Sequence, residues 1–150
     1  MLRIDDVTWD DPLAQQLIAE VQQEYVVRYG GPDETAVDGA QFAAPYGAFF
    51  VAHDGDEAIG CGGLRRHDAG VVEIKRMFVR AVHRRKGHAR ALLRALESRA
   101  RESGYTRVVL ETGLAQPEAI ALYESEGYRP IAGFGHYAAE PLSRSFAKDL

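Results

Sequence analysis

The sequence predicts a mixed α/β layer fold, with elements in the order βα, then βββ, then αβαβ(β). Three observations carry that expectation. Residues 48–79 contain three strand-forming runs separated by two tight turns, Asp54-Gly55-Asp56 and His67-Asp68-Ala69-Gly70, so they read as an antiparallel meander. The strongest helical stripe of the chain follows, with Ala89, Leu92, Leu93, Leu96 and Ala100 on one face. Strand and helix patterns then alternate to the end. At 150 residues, 46% of them hydrophobic, the chain has the size of one domain, spanning residues 1–150, with a sizeable core to bury.

The elements follow in order. Leu2 to Trp9 alternates loosely and suits a first strand. Asp10 or Asp11 caps the next helix and Pro12 takes its first position. Leu13, Leu17, Ile18, Val21, Tyr25 and the stem of Arg28 share one face, and Gly30-Gly31-Pro32 ends the helix. Residues 32–46 are irregular or partly helical. The meander runs Ala48–Ala52, Ile59–Arg65 and Val71–Val79. Ser103-Gly104 closes the long helix with a left-handed glycine cap. Arg107–Thr112 reads as a buried strand, Pro117–Glu126 as a short helix and Tyr128–Ile131 as a strand. Leu142–Lys148 forms a last strand with Phe146 inward.

Composition excludes several classes. A single cysteine, Cys61, closes no intrachain disulfide and pairs with no second thiol to clamp zinc, so a reducing compartment and no metal are expected. No run approaches the roughly 20 apolar residues of a membrane span, and the N-terminus lacks the basic and apolar regions of a signal peptide, which points to the cytoplasm. The net charge of −4 argues against general nucleic-acid binding, and no aromatic platform accompanies the arginines. The charge is unevenly spread. Eleven basic residues lie between Lys75 and Arg107 against Glu97 and Glu102, giving that segment +9 and leaving −13 on the remainder. An acidic chain with one basic sector suits an anion at one place.

That sector contains Val79-Arg80-Ala81-Val82-His83-Arg84-Arg85-Lys86-Gly87-His88-Ala89, a strand end, a basic loop, a glycine and a helix start. Unsatisfied N–H groups and the positive end of the helix dipole make such a terminus a phosphate site. Gly87 and the small Ala89 allow close approach. The chain has no G-x-x-x-x-G-K-[ST] loop, because Lys86 precedes its glycine, and Gly60-Cys61-Gly62-Gly63 lies within a hairpin rather than opening a helix.

Arg84 to Ala89 matches the Q/R-x-x-G-x-G/A signature of the GNAT superfamily of acyl-CoA-dependent N-acetyltransferases. Glu73–Val79 resembles the family's fourth strand, Arg90-Ala91-Leu92-Leu93 the helix after the signature, and Ala119–Tyr128 its A-x-x-L-Y-x-x-x-G-F/Y segment. Together these cover roughly residues 48–131. The resemblance implies a mixed, mostly antiparallel central sheet flanked by helices, with splayed fourth and fifth strands holding acetyl-CoA as cosubstrate. Arg84, Arg85, Lys86, Gly87, His88 and Ala89 would bind the pyrophosphate, and the backbone at Met77, Phe78 and Val79 the pantetheine arm. Where many relatives carry an asparagine on that arm, this chain has Gln116. The implied partners are acetyl-CoA and an amine, with no nucleic acid or membrane; a homodimer is left open.

Acetyl transfer to an amine requires removal of a proton from the amine, stabilisation of an oxyanion and a proton for the departing thiolate. The resemblance assigns the last task to Tyr123. Glu73 is the candidate base, weighed equally against a salt bridge to Lys75 or Arg76, and Glu111 is a second candidate. A catalytically degenerate CoA-binding regulatory or sensor module is the alternative to the enzyme. The acceptor stays open: Tyr29, Asp33, Glu34, Tyr46 and Phe134-Gly135-His136-Tyr137 are candidate rim residues. The acidic remainder favours a cationic acceptor, whereas Arg76 in the slot suits a carboxylate.

Overall fold

The computed structural model describes residues 1–150. Its elements are β1 (Leu2–Val7), α1 (Pro12–Tyr29), β2 (Ala48–Asp54), β3 (Glu57–Asp68), β4 (Val71–Val79), α2 (His88–Glu102), β5 (Arg107–Gly113), α3 (Pro117–Ser125), β6 (Arg129–Ile131) and β7 (Ser143–Asp149). Short 3-10 turns lie at Gly39–Phe42 and Ala81–His83. One seven-stranded sheet runs β1-β2-β3-β4-β5-β7-β6, antiparallel at every junction except β4–β5. This is the mixed α/β layer fold that the pattern predicts, with the mostly antiparallel sheet that the resemblance implies.

Strand alternation sorts the core into two layers. Phe49 and Val51 of β2 pack with Ala14, Leu17, Ile18 and Val21 of α1. Ala48, Phe50 and Ala52 of the same strand join Leu92, Leu93, Leu96 and Ala100 of α2 on the other side of the sheet. Leu17, Leu92, Leu93 and Leu96 are fully buried, each stabilising the fold by about 1.5–3 kcal/mol through removal from water.

Three local differences from the pattern have physical causes. β1 stops at Val7, because Trp9 leaves the sheet to stack on Phe42 at 4.6 Å. Leu13 stays 41% exposed, while Ala14 is buried. The Asp11 carboxylate accepts from the Ala14 N–H at 3.0 Å and fixes the helix start so that 14, 17, 18 and 21 form the stripe, with Leu13 one position off it. Finally, β3 runs past Arg65 to Asp68, because Arg66 and Asp68 still pair with Val72 and Val71 of β4 on either side of a bulge.

The parallel junction positions the site. β4 and β5 pair only at Val71–Arg107, Val72–Val108 and Glu73–Val109, and then part. Beyond that point β4 carries a bulge: Arg76 has φ +58°, and the register against β3 shifts between Cys61 and Gly63. The fourth and fifth strands are therefore splayed.

Candidate active site

Where β4 and β5 separate, the sheet opens into a cleft of about 930 Å³. Residues Ile74–Val79 of β4 and Leu110–Gly113 of β5 form two of its walls. The last turns of α1, the start of α2 and the inward face of α3 complete the lining.

One part of the cleft is a cradle of backbone donors. Arg85 and Gly87 both take left-handed conformations, φ +63° and +82°, which turn the chain sharply into α2. Gly87 has no side chain to cap the helix, so the N–H groups of the first turn stay free of side-chain partners and face the positive end of the dipole. A Cβ on Gly87 would meet no protein atom within 4 Å, so the space beside it is open. Arg85, His88 and Ala89 line the cleft; Lys86 is exposed and does not. Arg84 is turned inward, its guanidinium donating to the Val79 carbonyl at 2.8 Å and to Glu24 at 2.5 Å. The Arg80 N–H bonds the Ile59 carbonyl across the Gly60–Val79 pair at 2.8 Å. That pattern directs the N–H and C=O of Val79 to the opposite edge of β4, toward the cleft.

A second part is ionic. Lys75 Nζ lies 2.9 Å from Asp33 Oδ2, and Arg76 donates to the same oxygen. Burial pushes the Asp33 carboxyl up, but the two cations outweigh it and hold the group well below the usual carboxylate range. Glu111 on β5 has both carboxylate oxygens buried without a hydrogen-bond partner. Burial raises its pKa against the opposing charge of Lys75. The tail presses on this group: a Cβ at Gly135 would lie 2.2 Å from Glu111 Oε1, so only glycine passes there undisturbed.

Tyr123 of α3 lines the cleft and is 93% buried, with its ring edge-on to Tyr128 at 5.6 Å. Burial alone pushes its phenol well up, which keeps the proton on the oxygen at neutral pH. Gln116 also lines the cleft, and its side-chain oxygen accepts from the Tyr29 hydroxyl at 3.0 Å. Nearby, Arg28 bonds the Ala115 carbonyl and pairs with Glu118 at 2.6 Å, tying the end of α1 to the start of α3 across the cleft.

Comparison with known proteins agrees with this geometry. The acetyltransferase (GNAT) family model matches residues 15–128. The chain belongs to the GNAT family of acetyltransferases. It is 35% identical over 136 residues, 90% of this chain and 89% of the relative, to the IAA acetyltransferase of Azospirillum brasilense. A proposed acyl-CoA N-acyltransferase from Klebsiella pneumoniae superposes with a TM-score of 0.81 at 31% identity, covering 100% of this chain and 98% of that one. A GNAT acetyltransferase from Elizabethkingia anophelis, solved with acetyl-CoA bound, shares the fold at a TM-score of 0.70 and 20% identity, covering 99% and 98% of the two chains.

Within this GNAT enzyme, the structure brings Met77, Phe78, Val79, Arg84, Arg85, Gly87, His88, Ala89, Gln116 and Tyr123 to one cleft. Two expectations need correction. Glu73 is not a free carboxylate in the slot: it is 3% exposed, does not line the cleft, and its Oε1 accepts from Arg65 Nε at 2.8 Å. Nor is its partner Lys75 or Arg76, because the β3–β4 register sets Arg65 directly opposite Glu73. Counting back from the turn at Gly70 misses that pair, because a register shift between Arg66 and Asp68 displaces the partners by one residue. Among the rim candidates, Tyr29, Asp33, Glu34 and Tyr137 line the cleft, whereas Tyr46 and His136 do not. Nothing in the sequence signals the bulge at Arg76.

Proposed function

We propose that this GNAT acetyltransferase, acting as one domain, moves the acetyl group of acetyl-CoA to a primary amine by direct attack. The observation that carries the reading is the convergence on one cleft of a donor-rich phosphate cradle, a splayed strand edge, a protonated tyrosine and an unpartnered carboxylate. The GNAT relative solved with acetyl-CoA supports the choice of donor.

The first-turn N–H groups of α2, reinforced by Arg85, hold the pyrophosphate. The backbone of Val79 and Met77 binds the pantetheine arm along the open edge of β4. Gln116 releases the Tyr29 hydroxyl or shares its amide with the arm. Glu111 takes the proton of the incoming ammonium, since its raised pKa and lack of internal partners suit a base. Tyr123 delivers a proton to the sulfur as the thioester bond breaks. The lone Cys61 takes no part: it is fully buried, its Sγ bonds the Arg76 carbonyl, and burial pushes its thiol up. No helix is long and apolar enough to cross a membrane, and a single buried thiol suits a reducing, cytoplasmic setting.

The test is thiol release from acetyl-CoA over a panel of primary amines, with acetyl-CoA binding followed by calorimetry. Amine-dependent release is expected. Binding of acetyl-CoA without release by any amine would overturn the transferase reading.

A further inference from the structure

A strand places successive side chains on opposite faces, yet Lys75 and Arg76 both reach one oxygen of Asp33. The bulge makes this geometry: Arg76, at φ +58°, is re-aimed to the side of Lys75. A left-handed conformation is unfavourable at a non-glycine residue, so the local backbone is strained where the two cations converge. Both are deeply buried, with side chains 8% and 4% exposed, and both line the cleft. One carboxylate therefore answers two positive charges, and Arg76 Nε remains buried with no partner. That is a built anion site with donor capacity to spare.

The group filling it arrives on a short strap. Asp33 sits two residues after Gly31 and one after Pro32, beyond the C-cap of α1 at Gly30. The strap is held by three backbone N–H bonds, two to neutral acceptors and one within the strap to the Asp33 carboxylate: Asp33 N–H to Gln22 Oε1 at 2.8 Å, Glu34 N–H to the Tyr137 hydroxyl at 2.6 Å, and Thr35 N–H to Asp33 Oδ1 at 2.9 Å. Glu111 stands close enough to feel the charges of Lys75 and Asp33. A carboxylate on the cations thus lies near the group that takes an amine proton.

We propose that Lys75 and Arg76 form the carboxylate-binding site for the acceptor, that Asp33 occupies it while no acceptor is bound, and that the acceptors are α-amino acids. This rests on the acetyltransferase reading above. The incoming carboxylate replaces Asp33 on the guanidinium and ammonium, the strap yields, and the α-amine comes to Glu111. A simple amine lacks the group that displaces Asp33 and meets a closed site.

Thiol release is measured with the twenty amino acids and with their primary amides, on the native chain and on Arg76→Gln, Arg76→Lys and Asp33→Asn. At least one amino acid is expected to exceed its amide by tenfold or more in kcat/KM. Arg76→Gln should raise KM for that acid by tenfold or more without raising the amide's KM, and Arg76→Lys should recover part of the loss. Asp33→Asn should lower KM for the acid, because the internal competitor is neutral. Separately, calorimetry titrates N-acetylglycine, N-acetylphenylalanine and N-acetylglutamate, with their amides, into the CoA-loaded protein. Tighter binding of an acid than of its amide supports the site without reference to turnover. Equal treatment of acids and amides in both assays, or an equal effect of Arg76→Gln on both, would overturn the proposal. If amides and simple amines turn over as well as acids, the carboxylate site falls and the transferase reading stands. If nothing turns over, the transferase reading falls and the product titration alone decides the site.

Discussion

At Tyr123 and Glu111 the same physical effect, burial, suits the two opposite tasks proposed for them. Burial raises both pKa values. For the phenol this preserves a proton to give; for the carboxyl it creates affinity for a proton to take. Tyr123→Phe removes one donor and keeps the ring against Tyr128, so kcat should fall by about 10²–10⁴-fold with acetyl-CoA affinity nearly unchanged, as read by steady-state rates and calorimetry. A kcat near the native value at every pH would remove the tyrosine from the chemistry. Glu111→Gln should abolish the acidic limb of the kcat/KM profile and also change stability in a defined sense. A carboxyl whose pKa is raised on folding holds more protons in the native state than in the unfolded one, so its contribution is greatest below its ordinary value near 4.5 and is lost as pH rises through the folded value. The glutamine variant should therefore be no more stable than the native chain at low pH and should gain relative to it as pH rises above about 4.5. Urea melts at a series of pH values read the difference, and a constant difference would show that the carboxyl is not perturbed. Both groups were candidates in the sequence. The sequence puts Glu73 ahead of Glu111, because it does not disclose their surroundings, which depend on Arg65 across one strand and Gly135 against the other.

The loop from Arg84 to Ala89 shows how much an element can disclose in advance and how much it conceals. Its glycine, small residue and following stripe identify a helix start open to phosphate, since those features act through local backbone geometry. The roles of its side chains are not local. Arg84 is drawn to Glu24 on α1 and to the Val79 carbonyl, and Lys86 is exposed and does not line the cleft. The order β5-β7-β6, in which the tail strand inserts beside β5, likewise depends on pairing over long sequence distance. Gly87→Val tests the local part. At φ +82° any L side chain is strained, costing about 1–2 kcal/mol and more for a β-branched residue. The added isopropyl group would also project into space where no protein atom lies within 4 Å, the volume in which the pyrophosphate is proposed to sit. The expected result is a folded protein with a modestly lowered Tm and no measurable acetyl-CoA binding by calorimetry. Native affinity in that variant would move the phosphate site elsewhere.

For the molecule as a whole, the opening between β4 and β5 means that the sheet is incomplete at its centre. Three residue pairs hold the two halves together along this junction, against seven between β5 and β7. The two hydrophobic layers and the tie from Arg28 and Tyr29 to the start of α3 supply the remaining cohesion. An extended amide chain laid in the opening would act as a missing strand, so acetyl-CoA should stabilise the fold by mass action and do so unevenly. At 100 times its Kd the gain is about 2.7 kcal/mol, which for a domain of this size is a rise in Tm of roughly 5–11 °C. Amide exchange should locate it. Protection should rise at Val79, on the cleft edge of β4, and through the first turn of α2, where the donors have no protein partner. It should stay unchanged in the β1–β2 pair, which is fully registered from Leu2–Asp54 to Val7–Phe49. Free CoA should give the same pattern, because it carries the same pyrophosphate and pantetheine groups. A Tm rise with protection spread evenly over the sheet would mean that the ligand tightens the whole molecule rather than closing this gap. The surrogate-strand account of binding would then be wrong.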